Sequence, residues 1–287
     1  INLDILYYCA NIYNINENIR NNERYKFIKG DLNEYDLIVK ILNEYKITHI
    51  VHFAAQSHVD NSFNNSLQYT YDNVKGTHTL LEAIKNTNKN IIMLHFSTDE
   101  VYGETENDEM DESSLLCPTN PYSASKAAAE MYIRAYIYSY KLKIIISRGN
   151  NVFGYNQYPE KLIPLFVTNA IDDLKLPVYG NGLNVRDWLY VYDHCSAIWK
   201  LEEKNIINDH FNVGGSCERR NIDVTIMILD MLKKPHDLIG ISNERPGIDK
   251  RYGMDHSKIT QRTGWKPTTD FEVGIRATIT WYLEKLV

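Results

Sequence analysis

The chain has 287 residues, with 31 Lys and Arg against 37 Asp and Glu, so its net charge is −6 and its pI near 5.9. With no basic run anywhere, this balance argues against a nucleic-acid partner. A hydrophobic content of 44% can build a substantial core, but no stretch of about 18 apolar residues is available to cross a membrane. No basic-then-apolar segment of the secretory kind opens the sequence either.

In chain order, Ile1–Asp4 reads as the end of a strand with no glycine before it. In dinucleotide-binding folds an acidic residue for the adenosine ribose ends the second strand, about 20 residues after a Gly-rich phosphate loop. If Asp4 is that residue, the first βα unit and its loop lie before residue 1; otherwise Asp4 is a surface residue at a frayed terminus. Helical periodicity follows over Glu34–Tyr45, then an apolar, β-branched strand over Ile47–Ala54. A second helix covers Ser66–Asn86 and a second strand Ile91–Ser97. Asn120-Pro121 is a helix entrance, Ser123–Tyr140 continues as helix, and Lys143–Ser147 and Phe211–Val213 are further strands. Strands alternating with helices mean βαβ units and a parallel sheet.

After about Asn151 the texture changes: Pro159, Pro164, Pro177, Gly180, Gly182, Pro235, Pro246, Gly247 and Pro267 cut the chain into short elements. The fold class is therefore α/β, a doubly wound parallel Rossmann-type sheet with a second, smaller α/β substrate-binding lobe. The strand–helix–strand pattern returns over Val185–Gly215. The expected division is thus 1–151 plus 185–215 for the cofactor domain and 152–184 plus 216–287 for the smaller lobe. Four cysteines (Cys9, Cys117, Cys195 and Cys217) lack metal-ligand spacing and read as reduced thiols of a cytoplasmic protein, so no metal site is expected.

Two motifs carry chemistry. Tyr122 and Lys126 lie four residues apart, on one helix face. A nearby ammonium stabilises phenolate and makes the tyrosine a usable base for a sugar hydroxyl. The same spacing also arises as an ordinary exposed helical pair. Ser97–Gly103 (STDEVYG) directly follows an apolar strand, at the carboxyl edge where open α/β sheets bind ligands. Two adjacent carboxylates there, Asp99 and Glu100, can hold different protonation states, or simply form a charged turn.

Taken with these motifs, a run of blocks resembles the extended short-chain dehydrogenases, and within them the nucleotide-glucose 4,6-dehydratases. The blocks are Gly30-Asp31, HFAAQSHVDNSF (52–63), Asn73 with Gly76-Thr77, STDEVYG, NPYSASK (120–126) and RGNNVFG (148–154). YPEKLIP (158–164), NVRDWLYVYD (184–193), NVGG (212–215), ERPGIDKRY (244–252) and GWKP (264–267) complete the series. HFAAQSHVDNSF and RGNNVFG look closest to the UDP-glucose enzymes that begin UDP-rhamnose synthesis, with the dTDP-glucose enzymes a near second.

The resemblance implies NAD as cofactor and assigns roles residue by residue. Asp4 matches the ribose acid, Asp31 with Leu32 the adenine side, and Phe53, Ala54, Ala55 and Ser57 the strand end along the nicotinamide side. Tyr122 takes the proton of the C4 hydroxyl as NAD takes the hydride, and Lys126 holds the nicotinamide ribose. Thr98 hydrogen-bonds the C4 oxygen, Glu100 abstracts the C5 proton, and Asp99 protonates the leaving C6 hydroxyl. Ser57, Thr98, Asn151, Glu160, Lys161, Leu162, Pro177, Tyr179, Arg186, Asn221 and Arg245 match positions that hold the nucleotide sugar. A homodimer paired through the helices near Ser66 and Ser123 is also implied. Two departures stand out: Ile5 where lysine is usual, and Ile248 where the related block has histidine. Two other readings share the fold. A nucleotide-sugar 4-epimerase needs Tyr122, Lys126 and NAD, but has small residues in place of Asp99-Glu100. A non-catalytic nucleotide-binding protein would not need the five catalytic positions.

Overall fold

The computed structural model describes residues 1–243, 247 and 249–286. In chain order the elements are β1 (Asn2–Asp4), α1 (Glu17–Arg20), β2 (Phe27–Lys29), α2 (Tyr35–Glu44), β3 (His49–His52), α3 (Val59–Asn64), α4 (Ser66–Tyr69) and α5 (Gly76–Thr87). Then come β4 (Ile92–Thr98), α6 (Pro121–Tyr140), β5 (Lys143–Gly149), β6 (Asn151–Phe153), α7 (Leu162–Ile171), β7 (Leu176–Tyr179), β8 (Val185–Tyr190) and α8 (Val191–Glu203). The chain ends with β9 (Asp209–Val213), β10 (Glu218–Arg220), α9 (Asn221–Leu232), β11 (Ile239–Ser242), α10 (Ser257–Thr263) and α11 (Phe271–Leu286).

The central sheet is parallel, in the order β3-β4-β5-β9. Successive side chains of a strand point to opposite faces, and both faces here are covered. Met93, Ile144 and Ile146 pack with Leu80, Leu81 and Ile84 of α5 and Ile133 of α6. Leu94 and Ile145 pack on the other side with Ala197 and Leu201 of α8 and Ile259 of α10. Burial on both faces is why these strands read as continuous apolar runs instead of alternating ones. This is the doubly wound arrangement expected. A separate parallel pair, β1-β2, is hydrogen-bonded to no other strand among the described residues, and the edge at β3 leaves Val51 and Phe53 exposed.

The second core gathers α7, β7, α9 and α11 around Phe166, Val178, Ile228 and Ile275. Strand β8 serves both cores: Leu189 enters the first, while Trp188 and Tyr190 enter the second. It pairs with β6 and β10, whereas β9 joins β5 in the central sheet. The helix expected over Ser66–Asn86 is interrupted by a π-helical turn at Thr70–Lys75. Such turns recur at functional positions. This one buries Asn73, whose amide bonds the backbone of Gln56 and the hydroxyl of Ser125. No described helix is long and apolar enough to cross a membrane.

Candidate active site

Strand β4 delivers Thr98 to its carboxyl end, and a 3-10 turn over Asp99–Tyr102 follows. The Thr98 hydroxyl caps this turn, accepting the Glu100 N–H at 3.3 Å and donating to Asp99 Oδ1 at 3.0 Å. Gly103 closes the turn at φ +83°, where a Cβ would meet the Cys117 carbonyl at 2.3 Å, so glycine is required there. Asp99 is 4% exposed. Burial, then the neighbouring Glu100, pushes its carboxyl up to about 7, against the opposing pull of Thr98 and Arg186. A carboxyl in that range can carry a proton to donate near neutral pH.

The second wall is α6. Asn120 caps it in a reciprocal box with Ser123, and Pro121 occupies its first turn. One turn places Tyr122 and Lys126 side by side, both buried. The Lys126 ammonium donates to the Phe96 carbonyl, and burial lowers its pKa to about 8 against the pull of Glu130. Tyr122 departs from expectation. Burial first, then the charges of Glu100 and Asp99, raise its phenol, with Thr98 opposing them, and Lys126 does not figure among the causes. Spacing placed the ammonium on the right face, but burial and the nearby carboxylates decide the balance. His52 and His95, fully buried behind the lysine, are held neutral by burial and by its charge.

Below this wall lies a fully buried ion pair. Glu130, one turn past Lys126, takes Arg148 in two bonds of 3.0 and 2.6 Å. Arg148 also donates to the Tyr102 hydroxyl at 2.5 Å, and that hydroxyl donates to Asn212 at 2.7 Å. Thus α6, β5, β9 and the 3-10 turn are tied through side chains that water does not reach.

Glu100 faces a cleft of about 210 Å³ together with Asn151, Glu160, Lys161, Leu162, Pro177, Tyr179, Arg186 and Asn221. The structure therefore brings eight positions expected to hold a nucleotide sugar against a carboxylate expected to act on it. At the mouth, Tyr8 donates to Glu160 at 2.7 Å, Lys161 to the Ser57 carbonyl at 2.5 Å, and Tyr179 to Asp60 at 2.9 Å. Asn221 Oδ1 is buried without a hydrogen-bond partner among the described residues. Arg186 is less free than its role suggests. It donates to the carbonyls of Val185 and Asp249 at 2.7 and 3.0 Å and lies over the Tyr252 ring. Arg245 lies outside the described residues, as does Ile248. A wider groove of about 730 Å³ on the outer face of α11 contains none of the expected residues.

The residues expected to meet a cofactor are more open. Asp4 is exposed and accepts the Leu6 N–H at 2.7 Å, and Asp31 accepts from Asn33 in its own turn. Leu32 packs against the first core. Phe53, Ala54, Ala55 and Ser57 are all exposed at the end of β3, with the Phe53 ring 4.7 Å from that of Phe96. Two site residues had no role from sequence. Asn120 Nδ2 donates to Glu100 Oε2 at 3.0 Å, and the Tyr252 hydroxyl, which donates its proton to Asp249 at 2.5 Å, lies 3.3 Å from the same oxygen. Both sat inside quoted blocks, but nothing in the spacing pointed them at Glu100.

A family model described as GDP-mannose 4,6 dehydratase matches residues 1–278. A trifunctional UDP-glucose 4,6-dehydratase/3,5-epimerase/reductase of Arabidopsis thaliana is 46% identical over 286 residues, which cover 98% of this chain and 43% of that protein. The chain thus spans less than half the length of these plant relatives. The dTDP-glucose 4,6-dehydratase of Haemophilus influenzae is 40% identical, with 99% of this chain and 90% of the relative covered. The crystal structure of the Streptomyces venezuelae dTDP-glucose 4,6-dehydratase, with NAD and TYD bound, superposes with a TM-score of 0.95 at 39% identity, covering 98% and 86% of the two chains. The chain belongs to the NAD-dependent 4,6-dehydratase family of nucleotide sugars.

Proposed function

We propose that this family member is a hydro-lyase that dehydrates a nucleoside-diphosphate glucose to its 4-keto-6-deoxy derivative, with UDP-glucose ahead of dTDP-glucose. The observation that carries the reading is Asp99-Glu100 at the end of β4: one carboxyl is buried and raised towards neutrality, while its neighbour lines the cleft. An elimination across C5 and C6 needs an acid and a base side by side there, whereas a 4-epimerase needs only the tyrosine at C4.

In this reading Thr98 and Tyr122 receive the C4 hydroxyl, and Tyr122 accepts its proton. Glu100 takes the C5 proton once the C4 ketone has made it acidic, and Asp99 gives its proton to the departing C6 hydroxyl. The exposed Phe53–Ala55 segment offers an open shelf, and buried Lys126 a cation, for the nicotinamide half of NAD; exposed Asp4 can accept from the adenosine ribose hydroxyls, and half-buried Asp31 lies to the adenine side. These residues fit the cofactor, although no Gly-rich phosphate loop occurs within the 287 residues. When bound, NAD supplies the acceptor for the C4 hydride and the donor that returns it to C6.

Asn151, Glu160, Lys161, Leu162, Pro177, Tyr179, Arg186, Asn221 and Arg245 are proposed to hold the nucleotide, with Ser57 and Thr98 at the sugar. The division into 1–151 plus 185–215 and 152–184 plus 216–287, and a cytoplasmic setting, belong to the same proposal. UDP is placed first because of the plant relatives' higher identity, and rhamnose as a destination follows only from them. A homodimer is supported by exposed Leu67, Tyr71, Met131, Tyr132 and Tyr138 on α4, the π turn and α6; light scattering at micromolar concentration reads it, and a monomer refutes it.

The deciding experiment gives full-length protein NAD with UDP-glucose or dTDP-glucose. Loss of one water with no net NADH supports the dehydratase, and the faster substrate fixes the nucleotide. A product of unchanged mass containing galactose would mean epimerase, and no turnover with bound nucleotide would mean a binding protein.

A further inference from the structure

Asn120 does two things with one side chain. Its Oδ1 accepts the Ser123 N–H at 2.9 Å and so opens α6, while Ser123 Oγ accepts the Asn120 N–H at 3.2 Å. Capping requires only that oxygen. The amide nitrogen, 20 residues along the chain from Glu100, donates to Glu100 Oε2 at 3.0 Å, and Asn120 is 5% exposed. The Tyr252 hydroxyl lies 3.3 Å from the same Oε2. The Tyr252 proton goes to Asp249 at 2.5 Å, so Asn120 is the donor that engages Oε2, and Oε1 is left for a substrate proton.

We infer that Asn120 is a positioning residue that fixes Glu100 relative to Tyr122, coupling the elimination base to the helix that carries the oxidation base. The inference rests on the dehydratase reading. A planar amide has an acceptor and donors on one rigid group, which is what the double duty needs. Serine or threonine caps nearly as well but spends its single hydroxyl on the Ser123 N–H. Aspartate also caps, but it sets a second carboxylate against Glu100 Oε2. Among the described residues, the charged or titratable groups around Glu100 include Asp99 beside it, Tyr122 from α6, Tyr252 with Asp249 behind it, and Arg186 of β8 over the Tyr252 face, with His58, Asp60, Glu160, Lys161 and Tyr179 lining the same cleft.

The test compares full-length wild type, Asn120→Thr and Asn120→Asp with NAD and the accepted nucleotide-glucose. It follows melting temperature, transient NADH absorbance, water loss, and deuterium entering C5 from D2O. Because both substitutes cap, melting shifts by no more than about 3 °C. In Asn120→Thr, C4 oxidation keeps its rate while C5 exchange and water loss fall about ten-fold, so NADH accumulates during turnover. In Asn120→Asp the loss is greatest below neutral pH, and the acid limb of the pH–rate profile moves upward. Wild-type elimination in both variants would reduce Asn120 to a cap and overturn the inference. So would oxidation and elimination falling in parallel with stability. If wild type itself loses no water, the dehydratase reading fails and takes this inference with it; the wild-type reaction alone separates that case.

Discussion

The two sides of the proposed cofactor and substrate cleft are built in opposite ways. Around Asp99, Tyr122 and Lys126 the side chains are nearly dry, and each is bonded to backbone or to a neighbour already fixed by the fold. At Asp4 and Phe53–Ala55 the residues are exposed; Asp4 bonds within its own turn, and Phe53 lies against the Phe96 ring. The difference follows from what each side must do. Desolvation brings the Asp99 carboxyl and the Lys126 ammonium towards neutrality, as proton chemistry near pH 7 needs, while it moves the Tyr122 phenol the other way. A binding edge needs only accessible hydrogen-bonding groups. Substitutions on the dry side should therefore change chemistry, and those on the open side only affinity.

The largest effect is expected at Glu100. Glu100→Gln removes the C5 base and lowers dehydration by about 10²- to 10⁴-fold, yet C4 oxidation continues and appears as transient NADH absorbance. Intact nucleotide binding with no NADH would contradict this division of labour. Asp99→Asn comes next, costing about 100-fold in water loss with a gain in stability. The Asp99 carboxyl is raised in the folded chain. Between about pH 4 and pH 7 the folded chain therefore retains a proton that the unfolded chain has released, and stability falls as pH rises through that window. The asparagine variant lacks this fall and should be more stable than wild type at pH 8, by on the order of 2–4 kcal/mol in urea melts. An unchanged difference between pH 4 and pH 8 would mean that Asp99 is not desolvated. The smallest effect belongs to the open side. Asp4→Ala should weaken NAD binding about three- to ten-fold, with turnover at saturating NAD unaltered. An unchanged Kd would remove Asp4 from the cofactor edge.

The same contrast sets how much was legible in the sequence. Strands β4 and β5 announced themselves because burial on both faces leaves apolar runs, and α6 because Asn120-Pro121 marks its start. The π turn at Thr70–Lys75 was invisible, since one additional residue per turn does not disturb an apolar pattern over so short a stretch. Strand β6 was hidden in a three-residue tail of the RGNNVFG block. Tyr122 and Lys126 were legible as a pair through their spacing, but the balance of burial and carboxylate charge that raises the tyrosine was not. It depends on Glu100 and Asp99 arriving from another strand. Tyr252 was illegible for the same reason, since its contact with Glu100 spans 152 residues.

That span also has a meaning in time. Ribosomal synthesis delivers β4 and α6 early, and they can pack as soon as β5 emerges. Asn120 can already hold Glu100 at that stage, whereas Tyr252, 3.3 Å from the same carboxylate oxygen, is made only after most of the second lobe. Distant contacts carry the largest loop-closure cost and form late. A nascent chain can thus display the Tyr122–Lys126 face before Glu100, the proposed elimination base, has its full set of neighbours. The proposed cleft is therefore complete only when the last third of the polypeptide, which carries Tyr252, has folded back over the first.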